Sequence, residues 1–181
     1  MAHSYDWYEI VEGDAALSQG DFIDSCPIVI PPTVIRAGEE QSFEVKEYDV
    51  AVMSQSCDLL QNKISLVLLC PVWPFSEFTA KDSYLRSGNG KEALRQGNLP
   101  GYHLLSRCEI EGFETEYLVA DFRTVYSVSL QLLKEHAEKL GKRRRLLPPY
   151  REHLSQAFAR FFMRVGLPID IPQFWKAEAR S

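Results

Sequence analysis

The chain has 181 residues, 45% of them apolar and 25% charged, with a formal net charge of −5. That length can bury a core as one domain without disulfide or metal staples. With no apolar run of about 18 residues, a membrane-spanning helix is excluded.

The opening MAHSYDWYEIVEGD carries Asp6, Glu9, Glu12 and Asp14 and lacks a basic start with an apolar stretch, so no signal peptide is expected. Cys26, Cys57, Cys70 and Cys108 form no Cys-x-x-Cys pair and match no disulfide or zinc spacing, which points to a reducing cytoplasm. Charge is divided unevenly. Residues 1–90 hold fourteen acids against five bases, and residues 91–181 hold eleven acids against fifteen bases. Much of that basic excess is one tract, KLGKRRRLLPPYR, at 139–151. The two halves are therefore expected to attract different partners.

In chain order, residues 7–12 are ambiguous between helix and strand. The first turn signal is SQGDF, where Gly20 can take a positive φ and Asp21 can accept from a nearby backbone N–H. FIDSCPIVIPP reads as a strand stopped by Pro31-Pro32, and Pro27 inside it predicts an edge position. SFEVKEYDVAVMS predicts a strand that begins half-exposed and ends buried. NKISLVLLCPV is a second apolar strand, paired with the first through a loop longer than two residues. Residues 74–100, rich in Pro, Ser, Asn and Gly, predict a loop with a helix over KEALRQG. GYHLLSRCEI, TEYLVADF and TVYSVSL follow as three short strands, a spacing that suits a small barrel.

The C-terminal third reads as helical. SLQLLKEHAEKLGK stops at Gly141. Pro148-Pro149 lead into a second helix. Its apolar face is Leu154, Phe158, Phe161, Phe162 and Val165, with Gly166-Leu167-Pro168 at its end.

This layout resembles the PemK/MazF toxin superfamily. The residues that carry the likeness are the Gly-Asp turn QGDF, the Ser-ending strand VAVMS, the strand SLVLLCPV running into Pro-Val, and ADFRTV at 120–125. The resemblance covers residues 20–73 and 117–166, with an insertion between. It implies an α+β fold: a small, partly open SH3-like β-barrel at 18–128 with a loop-and-helix insertion at 74–100. A helical part at 129–168 would complete one domain spanning 1–181. Two departures stand out. The superfamily's ribonucleases carry a basic residue just before the Ser-ending strand, where this chain has Tyr48-Asp49. They also carry a hydroxyl just after the second strand's proline, where this chain has Val72-Trp73. The fold can be shared without the toxin chemistry.

The candidate site is the polar elbow Ser54-Gln55-Ser56-Cys57-Asp58. Paired with His103, Cys57 could form a thiolate, with Asp58 orienting the imidazole. Asp21 could join Cys57, Asp58 and His103 as metal ligands. Gln55 could meet an oxyanion or a base edge. Against these stands a turn-closing role for Asp21, Ser54, Ser56 and Asp58, with Cys57 as packing. The tract Lys142, Arg143, Arg144 and Arg145 reads first as a solvated linker between helices and second as a phosphate contact. The leading expectation is a bacterial nucleic-acid-interacting module, non-catalytic or altered in its catalysis, that contacts RNA or DNA through the elbow and this tract. The alternatives are a hydrolase or nuclease using Cys57, Asp58 and His103, and a protein-interaction subunit docking through the acidic half. No cofactor is expected.

Overall fold

The computed structural model describes residues 6–163. The elements are β1 (Tyr8–Glu12), β2 (Phe22–Ile30), β3 (Glu44–Val52), α1 (Ser56–Leu60) and β4 (Leu66–Pro74), then α2 (Phe75–Ala80), α3 (Ser83–Arg86) and α4 (Gly88–Arg95). β5 (Tyr102–Leu105), β6 (Leu118–Asp121) and β7 (Tyr126–Ser129) follow, then α5 (Leu130–Leu140), β8 (Lys142–Leu146) and α6 (Tyr150–Phe162). All strand pairs are antiparallel.

One sheet runs in the order β2-β3-β4-β6-β5, and β7 lies against the first half of β4. The long strand β4 is the spine. Leu66–Leu69 pair with β7, and Val72–Pro74 pair with β6. The outer strands β2 and β5 do not pair with each other, so the sheet is open. Pro27 sits on β2, an outer strand of this sheet, the position that best tolerates a residue without an N–H. The β3–β4 hairpin has the long loop its sequence predicts, and α1 forms inside that loop.

Alternation in the central strands sends side chains to both faces. Val50 and Val52 of β3 and Val67 and Leu69 of β4 pack under α5, with Leu133 and Ala137. Ala51, Cys70 and Val72 face the other way, with Phe22, Phe122, Leu146 and Leu154, beneath α6 and the β1–β8 ribbon. The 74–100 insertion is more helical than its composition predicts. Asp82 and Ser87 cap α3 and α4 through N–H bonds from Tyr84, Leu85 and Gly90. Its helices bury Phe78, Leu85 and Leu94 against Val119, with Trp73 and Tyr102 alongside.

The C-terminal third departs from the helical expectation for 129–168. Gly141, at φ 77°, ends α5, but the chain then becomes strand β8 rather than a linker. β8 pairs with β1, which settles the ambiguity at residues 7–12. On α6, Leu154 is buried and Phe158 and Phe161 pack on the core, whereas Phe162 is 59% exposed. Val165 and the expected Gly166-Leu167-Pro168 stop lie outside the described residues.

Candidate functional site

The elbow after β3 is held by its own hydroxyls. Leu68 N–H donates to Ser54 Oγ at 2.9 Å, and Gln19 N–H donates to Ser56 Oγ at 3.1 Å. Ser56 Oγ also lies 2.7 Å from Ser18 Oγ, and Gln19 Nε2 donates to the Met53 carbonyl at 2.7 Å. These bonds tie the start of α1 to the turn before β2. Cys57 is exposed, and its sulfur contacts are its own neighbours, Gln55 at 3.7 Å and Asp58 at 3.8 Å. Gln55 is exposed and stands at the α1 N-cap without a side-chain capping bond.

His103 does not join this elbow. It pairs with Ala120, which pairs with Val72, whereas the elbow is fastened to Leu68. Four residues along β4 span about 13 Å, and His103 lies two strands to the side, a further ~9–10 Å. The Cys57–Asp58–His103 constellation is therefore corrected: α1 carries Cys57 and Asp58, and β5 holds His103 well away from them. Asp21 is also absent from the elbow's side-chain contacts, being held elsewhere. Among the described residues, no group of three or more His, Cys, Asp or Glu is placed to hold a metal ion.

Asp21 and the arginine tract form a web inside the molecule. Arg143 and Asp21 both have fully buried side chains, and Arg143 Nε donates to Asp21 Oδ2 at 2.8 Å. The other Arg143 donors reach the carbonyls of Glu12, Gly13, Ala15 and Ala16 at 2.7–3.1 Å. All five guanidinium N–H groups are thus used. Arg145 donates to Asp21 through Nε and Nη2 and to the Ala16 carbonyl. Arg144 pairs with Asp24 at 2.8 Å, and Lys142 with Glu12 at 3.5 Å. Both expectations for 142–145 need correcting. Three of its four residues are buried or half-buried strand, and every cation in it meets an acid from the first 24 residues. The basic charge of this tract is thus met inward, by acids of the first 24 residues. One donor in this region is unmet: Arg144 Nη1 is shielded and has no hydrogen-bond partner. An unmade buried bond of this kind costs about 1–3 kcal/mol.

His103 opens instead onto a groove of about 330 Å³ between the C-terminal turn of α4, β5 and α6. His153, Gln156 and Arg160 line it from one stripe of α6, at helical spacing. Arg95 and Tyr102 come from the other side. Pro100 and Tyr102 continue into a second cleft of about 400 Å³ that Arg123 and Phe161 line. Arg123 donates to Tyr102 Oη at 2.6 Å, and its guanidinium stands 5.7 Å from that ring's centre. Asp121 shapes the turn that projects Arg123, accepting from Arg123 N–H at 2.9 Å and Thr124 Oγ1 at 3.4 Å. Burial pushes His103 down to about 4, and the neighbouring His153 adds to the shift. At neutral pH His103 is therefore an uncharged donor–acceptor, stacked near Phe122 with centroids 6.2 Å apart.

Sequence reasoning missed Arg95, Arg160, His153 and Gln156 as groove residues, because nothing in their spacing joins α4 to α6. Tyr102 and Arg123 lay inside quoted stretches, GYHLL and ADFRTV, but as strand and family signals. Comparison with protein-family models, with curated proteins and with solved structures finds no match to this chain. Among the described residues, no helix is long and apolar enough to cross a membrane.

Proposed function

We propose that this chain is a non-catalytic module that binds single-stranded nucleic acid along the groove between α4, β5 and α6. The reading is carried by one observation: Arg95 and Arg160 line the groove that holds Tyr102 and the two imidazoles, and Arg123 lines the adjoining cleft against the same Tyr102. Guanidinium groups beside an aromatic face suit a phosphate backbone with a base stacked between contacts. Gln96 and Gln156 add neutral side-chain amides on the two sides of the groove.

The proposed kinship is with the PemK/MazF toxins, with the sheet as an opened SH3-like barrel. The open antiparallel sheet with α6 and the β1–β8 ribbon over one face is compatible with it. The two departures have structural occupations. Asp49 Oδ1 accepts the Ser25 N–H at 2.9 Å, beside the β2 bulge. Val72 is buried, and Trp73 lies under the Lys81 ammonium at 4.2 Å. Neither position offers the hydroxyl or the cation of the ribonucleases, which favours binding over cleavage.

The test is fluorescence anisotropy with a labelled 12-nucleotide single strand, as RNA and as DNA. Arg123→Glu with Arg160→Glu is expected to weaken binding at least tenfold and to reduce the salt slope by about 2. A wild-type protein that binds neither strand, or a variant that binds as tightly, overturns the proposal. A second reading, a protein-docking subunit, has its own observation. The β2–β3 hairpin exposes Val29, Val34, Ile35, Phe43 and Val45 at 58–70%. Glu39, Glu40, Glu44 and Glu47 are exposed beside them. If it docks a partner, Val34→Lys with Ile35→Lys abolishes capture of one stoichiometric protein and leaves strand binding intact.

A further inference from the structure

A second cleft, outside the groove, lies between the start of β2, the end of β4 and residues 115–118, with a volume of about 180 Å³. We infer that it binds a guanine-type base: a planar, neutral heterocycle with a carbonyl acceptor beside N–H donors.

The cleft has apolar walls, one arginine donor without a partner and two exposed carboxylates without a cation. Phe22, Val72, Pro74 and Leu118 supply the walls. Arg144 lines it with a side chain only 8% exposed. Asp24 holds Nη2 of that guanidinium at 2.8 Å, and Phe22 lies beneath it at 5.4 Å, so its orientation is fixed while Nη1 lacks an acceptor. Asp49 and Glu116 line the same cleft. Ser25 N–H holds one oxygen of Asp49, and Ser76 N–H and Oγ hold Glu116. Among the described residues, neither carboxylate has a cation within ion-pair distance.

This charge pattern selects the ligand. A phosphate or carboxylate would meet Asp24, Asp49 and Glu116 against the single cation Arg144, which disfavours it. An ammonium would answer the carboxylates but leave Arg144 Nη1 unpaired. A guanine answers both, because its O6 and N7 accept from arginine while N1–H and the N2 amino group donate to a carboxylate. The volume lies below the 300–1,000 Å³ or so of drug-sized pockets, so it suits one ring system, with ribose and phosphate outside.

The base can arrive as a free nucleoside or within a strand, and calorimetry can separate the sources. The probes are guanosine, adenosine, lysine methyl ester, and uridine nonamers with one central guanine or adenine. Guanosine is expected to bind at least tenfold tighter than adenosine if the free nucleoside is the ligand. If the strand is the ligand, the preference appears in the nonamers alone. Glu116→Gln, a substitution at a partly exposed position, should shrink the guanine preference at least fivefold, as should Arg144→Lys if its melting curve is native-like. Arg123→Glu with Arg160→Glu should leave guanosine affinity unchanged. No guanine preference in either format, preferential binding of lysine methyl ester, or a preference that survives Glu116→Gln overturns the inference.

Discussion

Two arginine-rich regions of this molecule do opposite things. Arg143, Arg144 and Arg145 are consecutive in sequence, yet they turn inward to Asp21, Asp24 and backbone carbonyls, with Arg144 Nη1 alone left over. Arg95 and Arg160 are distant in the chain, yet they line one exposed groove, Arg95 while paired with Glu92, and Arg123 lines the cleft that continues from it. The difference lies in the backbone beneath them. A strand beside an acidic strand turns a basic run inward, whereas a helix end, a turn and a helix stripe can aim distant side chains at one place. A run of cations in sequence is thus a poor guide to a contact surface.

The largest expected effect comes from breaking the buried web. Asp21→Ala leaves two guanidinium groups without their carboxylate, and the expected loss is about 3–5 kcal/mol in urea denaturation. Glu12→Gln breaks only the exposed pair with Lys142, and should change stability by under about 1 kcal/mol. Equal losses from the two would erase the distinction between the regions.

Next in size is a pH effect in the groove. His103 sits at about 4 in the folded chain, against 6.5 for an unperturbed imidazole. The unfolded chain therefore takes up the proton first, and stability is lost as pH falls from 6.5 toward 4. The largest loss that shift allows is roughly 3 kcal/mol. His103→Asn should flatten that part of the stability profile relative to wild type. An unchanged slope would place the imidazole in water.

The smallest effect is chemical and touches no stability. Cys57 is exposed, while Cys26, Cys70 and Cys108 are buried. Burial raises Cys26 to about 11 and Cys70 to about 12. A thiol reagent at neutral pH should label one cysteine quickly and the other three only on unfolding. Cys57→Ser should remove the fast phase and leave strand binding unchanged.

Much of the sheet was legible because its strands carry their own signals. Pro27 marked the edge, the β-rich runs around Val52 and Leu69 marked the buried pair, and Gly141 marked the end of α5. β8 was not legible. KRRR has no apolar alternation, and it forms a strand only because Asp21 and Glu12, more than 100 residues away, meet it. The elbow was read correctly as polar, but its hydroxyls serve the Leu68 and Gln19 backbone, which sequence spacing cannot reveal. The groove was invisible for a related reason: His103 and His153 are 50 positions apart and share a wall only through the packing of α6.

The most direct measurement compares two charge reversals on one labelled single strand. One variant is Arg123→Glu with Arg160→Glu, in the groove; the other is Lys139→Glu with Lys142→Glu, at the exposed edge of the basic tract. Groove reversal that costs at least tenfold, with tract reversal within about twofold of wild type, is the result expected here. Loss of binding from the tract variant alone would contradict the account.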